Sequence, residues 1–239
     1  MNRGLYIAAS GMLAEEVRQN QIANDLANAS TSGYRPDRAA QAEFGTLLLA
    51  NTRTGQTVGS LGTGVQIAQI ATDLTPGPIR DTGEPLDFAI EGAGFFAIQG
   101  AGGRRYTRDG QFSVSANGTL VTAQGAQVLS QGGGAIRVGA DGKVDPKQIG
   151  IFDVPNARKA GDGTFTGGGG GRPAGAVVRG GALEGSGADP TRSMVDMIAS
   201  LRAFEAGQKV ITTIDETMGR SVSTIGAVKI GRASCRERV

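Results

Sequence analysis

Two hundred and thirty-nine residues, 39 % of them apolar, are enough to bury one or two cores. The absence of histidine excludes histidine triads, histidine general bases and histidine metal ligands, and a single cysteine excludes an internal disulfide and any multi-thiolate zinc site. A formal net charge of +2 offers little to attract phosphates, and forty glycines with eight prolines, set in no strict period, predict many tight turns.

Met1 to Ser10 has neither a basic stretch leading into an apolar one nor a small-residue cleavage site, which predicts that no leader is cleaved. From Asn2 to Asn28 there is no proline, and Leu5, Ala9, Met12, Gln19, Ala23 and Leu26 recur at helical spacings. Asn2 is a suitable cap, and Ser30-Thr31-Ser32-Gly33 supplies turn formers and a glycine able to take the left-handed conformation, so the helix is expected to stop near Ala29. Asn20, Asn24 and Asn28 line one face of it, an unusual row because asparagine competes for backbone hydrogen bonds. Beside small residues, such amides could give direction to a contact between helices.

Thr46 to Gly64 reads as a polar, variable loop. Beyond it the period changes from about 3.6 to 2, in the short runs Phe88–Ile90, Phe95–Ile98, Tyr106–Arg108, Phe112–Val114 and Leu120–Thr122. Asp109-Gly110 and Asn117-Gly118 suit tight hairpin turns between these runs, and Ile136–Val138, Val144 and Ile149–Val154 continue the pattern. Gly167 to Gly171 is expected to be a surface loop.

Asp189-Pro190 pairs a capping side chain with a proline at the first helical position, where the missing N–H costs nothing. Steps of four and three from Met197 reach Leu201, Phe204, Gln208, Ile211, Asp215, Met218, Val222 and Ile225, a coiled-coil pattern with Gln208 and Asp215 as polar interruptions. Both terminal helices carry apolar stripes that need cover, and isolated helices are marginal in water, so ordering of the helices is expected to be coupled to assembly. After Lys229 the pattern ends. Ile230 to Val239 reads like a translated sequencing-library adapter; its three arginines and one glutamate account for the whole formal charge of +2.

Sites for small molecules find little support. Gly92-Ala93-Gly94-Phe95-Phe96-Ala97 satisfies a relaxed dinucleotide fingerprint, but it runs into a strand-like segment where a helix is needed. Gly139 to Val144 lacks the phosphate-loop spacing, and Asp141 with Asp145 lacks the density of oxygen ligands that calcium requires. Glu15-Glu16 and Glu84 with Asp87 lack the aromatic surroundings of a glycosidase cleft, in a chain with no tryptophan. No serine nucleophile motif is present. The reading is of a protein that is not an enzyme, with no cofactor, metal, nucleic acid or small-molecule substrate.

Three blocks carry a resemblance. Ile22 to Arg35 (IANDLANASTSGYR) resembles the N-terminal signature of bacterial flagellar rod and hook proteins. Leu86 to Ile98, Tyr106 to Phe112 and Asn117 to Thr122 resemble that family's central β domain. Leu183 to Ser186, Met194 to Ile198, Arg202 to Ala206 and Lys209 to Asp215 are similar to its C-terminal helix. The chain departs from the family at Gly187-Ala188, where Asn-Val is usual, and at Gly207, where an asparagine is common. The length suits a proximal F-type or distal G-type rod protein better than the hook protein.

The fold class expected is α+β, with N- and C-terminal helices pairing as a coiled-coil-like layer and a central, mostly antiparallel β domain. Residues 1–45 with 184–229 would form the helical assembly domain, 46–183 the β domain, and 230–239 a non-native tail. The resemblance implies a structural subunit of the flagellar basal body in the cell envelope, exported uncleaved by the flagellar type III apparatus. It would self-associate into a helical tube alongside other rod and hook proteins. Leu5, Met12, Leu26, Met197, Leu201, Phe204, Ile211 and Met218 are assigned to helix packing, with Asn24 and Asn28 giving direction and Gly33, Tyr34, Arg202 and Asp215 completing the assembly interface. The competing reading is a secreted, adhesin-like β module that its helices oligomerise.

Overall fold

The computed structural model describes residues 3–43, 45–50, 53, 56–100, 102–139, 141–168 and 175–226; the suspected tail, the Asn2 cap and Gly169 to Gly171 lie outside them. In chain order the elements are α1 (Arg3–Ala27), β1 (Asp37–Glu43), β2 (Thr46–Ala50), β3 (Thr57–Gly62), β4 (Val65–Thr72), β5 (Ile79–Asp81), β6 (Phe88–Glu91), β7 (Phe95–Gly100) and β8 (Gly103–Thr107). Next come β9 (Phe112–Val114), β10 (Leu120–Thr122), β11 (Gln127–Val128), β12 (Ile151–Phe152), β13 (Arg158–Gly161), β14 (Thr164–Thr166), β15 (Val177–Gly180), β16 (Ala182–Glu184) and α2 (Pro190–Gly226). This is the α+β arrangement expected, a helix near each end and mostly antiparallel strands between.

The chain forms two compact units. One is built from the described parts of Met1–Gln19, Gln41–Ala68 and Ile198–Val239, the other from Asn20–Ala40 and Gln69–Met197. In the first unit α1 and α2 run antiparallel and pack closely. The Ser200 hydroxyl donates to Glu15 Oε2 at 2.6 Å, a Cβ on Gly207 would come within 2.7 Å of Met12 Cγ, and one on Gly4 within 3.5 Å of Ile214 Cδ1. The face of α2 turned to α1 therefore runs through Ser200, Phe204, Gly207, Ile211 and Ile214. Gln208 and Asp215, expected as buried interruptions of the stripe, are exposed instead. The packing line sits one residue earlier, at Ser200 before Leu201, Gly207 before Gln208 and Ile214 before Asp215, and Ser200 and Gly207 are small enough to admit the neighbouring helix.

Thr46 to Gly64 is not the loop expected. β2 and β3 form an antiparallel hairpin, Leu47 opposite Leu61 and Leu48 opposite Ser60, and the Thr63 amide closes its base on Gly45 O at 2.9 Å. The apolar run Leu47-Leu48-Leu49 supplies β2, and β3, rich in glycine and hydroxyl residues, can pair with it because the backbone ladder satisfies its donors and acceptors whatever the side chains are.

The second unit holds the β core. Its largest sheet runs β13-β14-β8-β7-β11-β10-β9, with β12 also pairing with β7. β7 is buried on both faces, so its apolar run does not alternate. Phe96 and Ile98 join Phe88, Ile90, Phe112 and Leu120 in one cluster, while Phe95 and Ala97 join Tyr106, Leu129, Phe152 and Phe165 in the other. The glycines before it, Gly92 and Gly94, have φ of +103° and +114° and lead directly into strand, leaving no helix N-terminus to receive a pyrophosphate.

Asn117-Gly118 forms the hairpin turn expected between β9 and β10, with the Gly118 amide on Ser115 O at 2.8 Å. Asp109-Gly110 does not form one. β8 pairs with β7 and β14 while β9 pairs with β10, so the dipeptide links strands that are not partners. Gly110 is required there by contact: a Cβ would stand 1.6 Å from Phe88 O. Gly139 and Lys143 close a turn at 3.2 Å, and Asp145 caps the short 3-10 helix Pro146–Gln148 by accepting the Lys147 amide at 2.9 Å. Among the described residues no group of acidic or cysteine side chains could hold a metal, and no helix is long and apolar enough to cross a membrane.

Candidate assembly surfaces and helix roots

In the first unit, Leu5, Met12, Phe204 and Ile211 are half-buried, consistent with their places on or beside the seam between α1 and α2. Leu201, Arg202, Asp215 and Met218 are exposed. Ile198, Val210 and Val222 are exposed as well, Val210 lining a groove beside the seam and Val222 in line with Met218, and Tyr6 and Leu13 stand out on α1. The exposures, 44 % at Leu201, 51 % at Met218 and 73 % at Val222, are high for apolar side chains on one helix. Beside the seam lies a groove of about 420 Å³, lined by Gly4, Ala8, Gly11, Met12, Ala203 and Gly207 among others.

In the second unit, the C-terminal end of α1 is held by its own side chains. Asn28 Nδ2 donates to Asn24 O at 2.9 Å and Asn24 Oδ1 at 3.0 Å, and the Tyr34 hydroxyl donates into Asn24 Oδ1 (2.9 Å) and Asp25 Oδ1 (2.8 Å). The amides of Asn24 and Asn28 thus have partners within the chain. Burial, followed by the hydrogen bond and charge of Asp25, holds the Tyr34 phenol protonated above its usual range. Burial also raises the Asp25 carboxyl, against the Tyr34 hydrogen bond and the nearby Lys159 charge. Lys159 lies 4.8 Å from the Tyr34 ring centroid and 2.9 Å from Asp37 Oδ2. Leu26 and Met197 are half-buried.

Gly33 is buried with φ +65°, and a Cβ there would lie 2.4 Å from the Arg108 carbonyl carbon. No other residue type fits both the backbone angle and the space. Its amide donates to Glu184 O at 2.9 Å, and the Gly187 amide donates to Tyr34 O at 2.9 Å. At the start of α2, Asp189 Oδ1 accepts the amides of Thr191 (2.9 Å) and Arg192 (3.3 Å), the cap expected.

Three charged residues to which sequence pattern assigned no role meet here. Glu184 Oε1 accepts from Arg35 Nη2 at 2.5 Å and from the Gly77 amide at 2.7 Å, and its Oε2 from Arg108 Nη1 at 2.8 Å. All three side chains are almost wholly buried. Arg35 also donates to Thr75 O, and Arg108 to Gly92 O at 2.6 Å while lying 5.5 Å from the Phe95 ring centroid. Burial lowers the Arg108 pKa, opposed by the Glu184 charge. The signal available in the sequence was weak: charged residues inside otherwise apolar or glycine-rich segments.

Three family models match the chain in order: a flagella basal body rod protein model over residues 5–35, a flagellar hook protein FlgE/F/G D1 domain model over 89–153, and a flagellar basal body rod FlgEFG protein C-terminal model over 179–224. The flagellar basal-body rod protein FlgG of Bacillus subtilis is 31 % identical, with 93 % of this chain and 99 % of that protein covered. The chain belongs to the flagellar basal-body rod and hook protein family. The flagellar basal-body rod protein FlgF of Caulobacter vibrioides is also 31 % identical (95 % and 100 % covered), and FlgF of Salmonella typhimurium 33 % (92 % and 97 %). The chain is therefore a structural component of the flagellar basal body and not an enzyme.

Proposed function

We propose that copies of this chain polymerise side by side, through the exposed faces of α1 and α2, into a hollow helical rod that transmits torque from motor to hook. The observation that carries this reading is the set of apolar side chains of α2 that α1 leaves exposed, Ile198 and Leu201 away from the seam and Met218 and Val222 along its line beyond the contact of Gly4 with Ile214. Identical copies meeting through two different surfaces, with a rise at each step, build an open helix in place of a closed ring. The relatives named as rod proteins agree with a structural role, and delivery by the flagellar export apparatus belongs to the same proposal.

Leu201→Asp tests it. Leu201 is exposed in the single chain, so the substitution should change subunit stability by no more than about 0.5 kcal/mol. It should abolish incorporation into hook-basal bodies and motility. Normal motility with the variant chain present in purified basal bodies would defeat the proposal, as would absence of the parent's Asp109–Arg137 tryptic peptide from intact basal bodies of cells that express it.

A further inference from the structure

The buried cluster of Arg35, Glu184 and Arg108 places two guanidinium groups and one carboxylate out of water. Such a cluster is a poor source of net stability, since desolvating three charges offsets most of their attraction, and apolar replacements of similar volume are often neutral or better. Its placement suggests another use. Arg35 lies just beyond the turn that ends α1, Glu184 ends β16 shortly before α2, and Arg108 directly succeeds β8 of the main sheet. Glu184 ties its own segment to the other two, and through the Gly77 amide it also holds the stretch leading into β5. Its backbone carbonyl accepts the Gly33 amide, and the Gly187 amide returns to Tyr34 O.

We infer that Glu184 is a latch setting the register between the root of α1 and the root of α2, so that the two roots open and close as one unit with β5 and β16. An apolar trio could fill the space but could not choose this register, because greasy contacts slide where charge-assisted hydrogen bonds do not. The latch acts within the single chain and does not depend on polymerisation.

Amide hydrogen exchange of the full-length protein tests it. In the parent, the amides of Gly33, Gly77, Gly185 and Gly187 should exchange with one shared protection and one shared denaturant dependence. Glu184→Gln should lower the melting midpoint by roughly 10 °C, since two buried cations lose their counter-charge, and speed exchange at both roots. The triple substitution Arg35→Met, Arg108→Met, Glu184→Leu should recover most of that melting loss yet leave exchange at Gly33 and Gly187 about tenfold faster than in the parent. Parental protection at both roots in the triple variant would overturn the inference. So would independent opening of Gly33 and Gly77 in the parent, a measurement that stands even where the triple variant fails to fold.

Discussion

Two glycines inside the paired helices provide a sharp test of the packing between α1 and α2. Gly11 and Gly207 are both helix-interior residues, so replacing either by alanine gains about 1 kcal/mol of helix propensity. Their surroundings differ. A Cβ on Gly11 meets no atom within 4 Å, whereas one on Gly207 would come within 2.7 Å of Met12 Cγ. That Cγ is close to the α1 backbone and cannot swing clear as a terminal methyl could, so overpacking there should cost about 1–3 kcal/mol. Gly11→Ala should therefore stabilise the monomeric chain by about 0.5–1 kcal/mol, while Gly207→Ala should be neutral or destabilising by up to about 2 kcal/mol. Urea unfolding of the two variants beside the parent measures the difference. The double variant Met12→Ala, Gly207→Ala should show a coupling of about 1 kcal/mol or more, because the added methyl then enters vacated space. Equal stabilisation by both single alanines, with additive behaviour in the double variant, would refute the close approach of the helices.

Phe96 is fully buried and stacks edge-on against Phe112 at 5.3 Å between centroids, so Phe96→Ala should cost about 3–5 kcal/mol in chemical denaturation. A loss below about 1 kcal/mol would contradict the double-faced burial of β7. Asp109 has its pKa raised, by burial first and then by the charge of Asp87, against the hydrogen bond from the Gln111 amide. The folded state therefore binds this proton more readily than the unfolded one, and stability contributed here rises as pH falls from above the raised pKa towards the ordinary value of 3.8. Asp109→Asn keeps the acceptor for Gln111 and removes the buried charge. Its stability advantage over the parent should be largest at neutral pH and shrink on acidification; urea midpoints that differ by a constant amount across that range would count against the assignment.

Much of the architecture can be read from the chain alone because its signals are local. The absence of proline through α1, the Asp189-Pro190 cap of α2 and the short apolar runs around Phe95 and Leu120 each depend on neighbours close in sequence. The blocks from Ile22 to Arg35 and from Leu86 to Ile98 likewise carry the family resemblance as contiguous strings. Features set by residues far apart in sequence escaped. The helix seam runs through Ser200 and Gly207, not Leu201 and Gln208, because the partner helix selects for small side chains where it comes closest, and hydrophobic periodicity scores such residues as breaks. Asp109-Gly110 has the composition of a hairpin turn, but a long-range contact with Phe88 decides its use. The hairpin of β2 and β3 begins in the apolar run Leu47-Leu48-Leu49, but its pairing is completed by β3, whose glycines and hydroxyl residues carry no strand pattern of their own. The Arg35–Glu184–Arg108 cluster joins residues up to 149 positions apart, and only the folded chain could bring two lone arginines and a glutamate into one dry site. Short-range pattern determined which elements form; tertiary packing decided which faces meet, which glycines are needed, and where charge is buried.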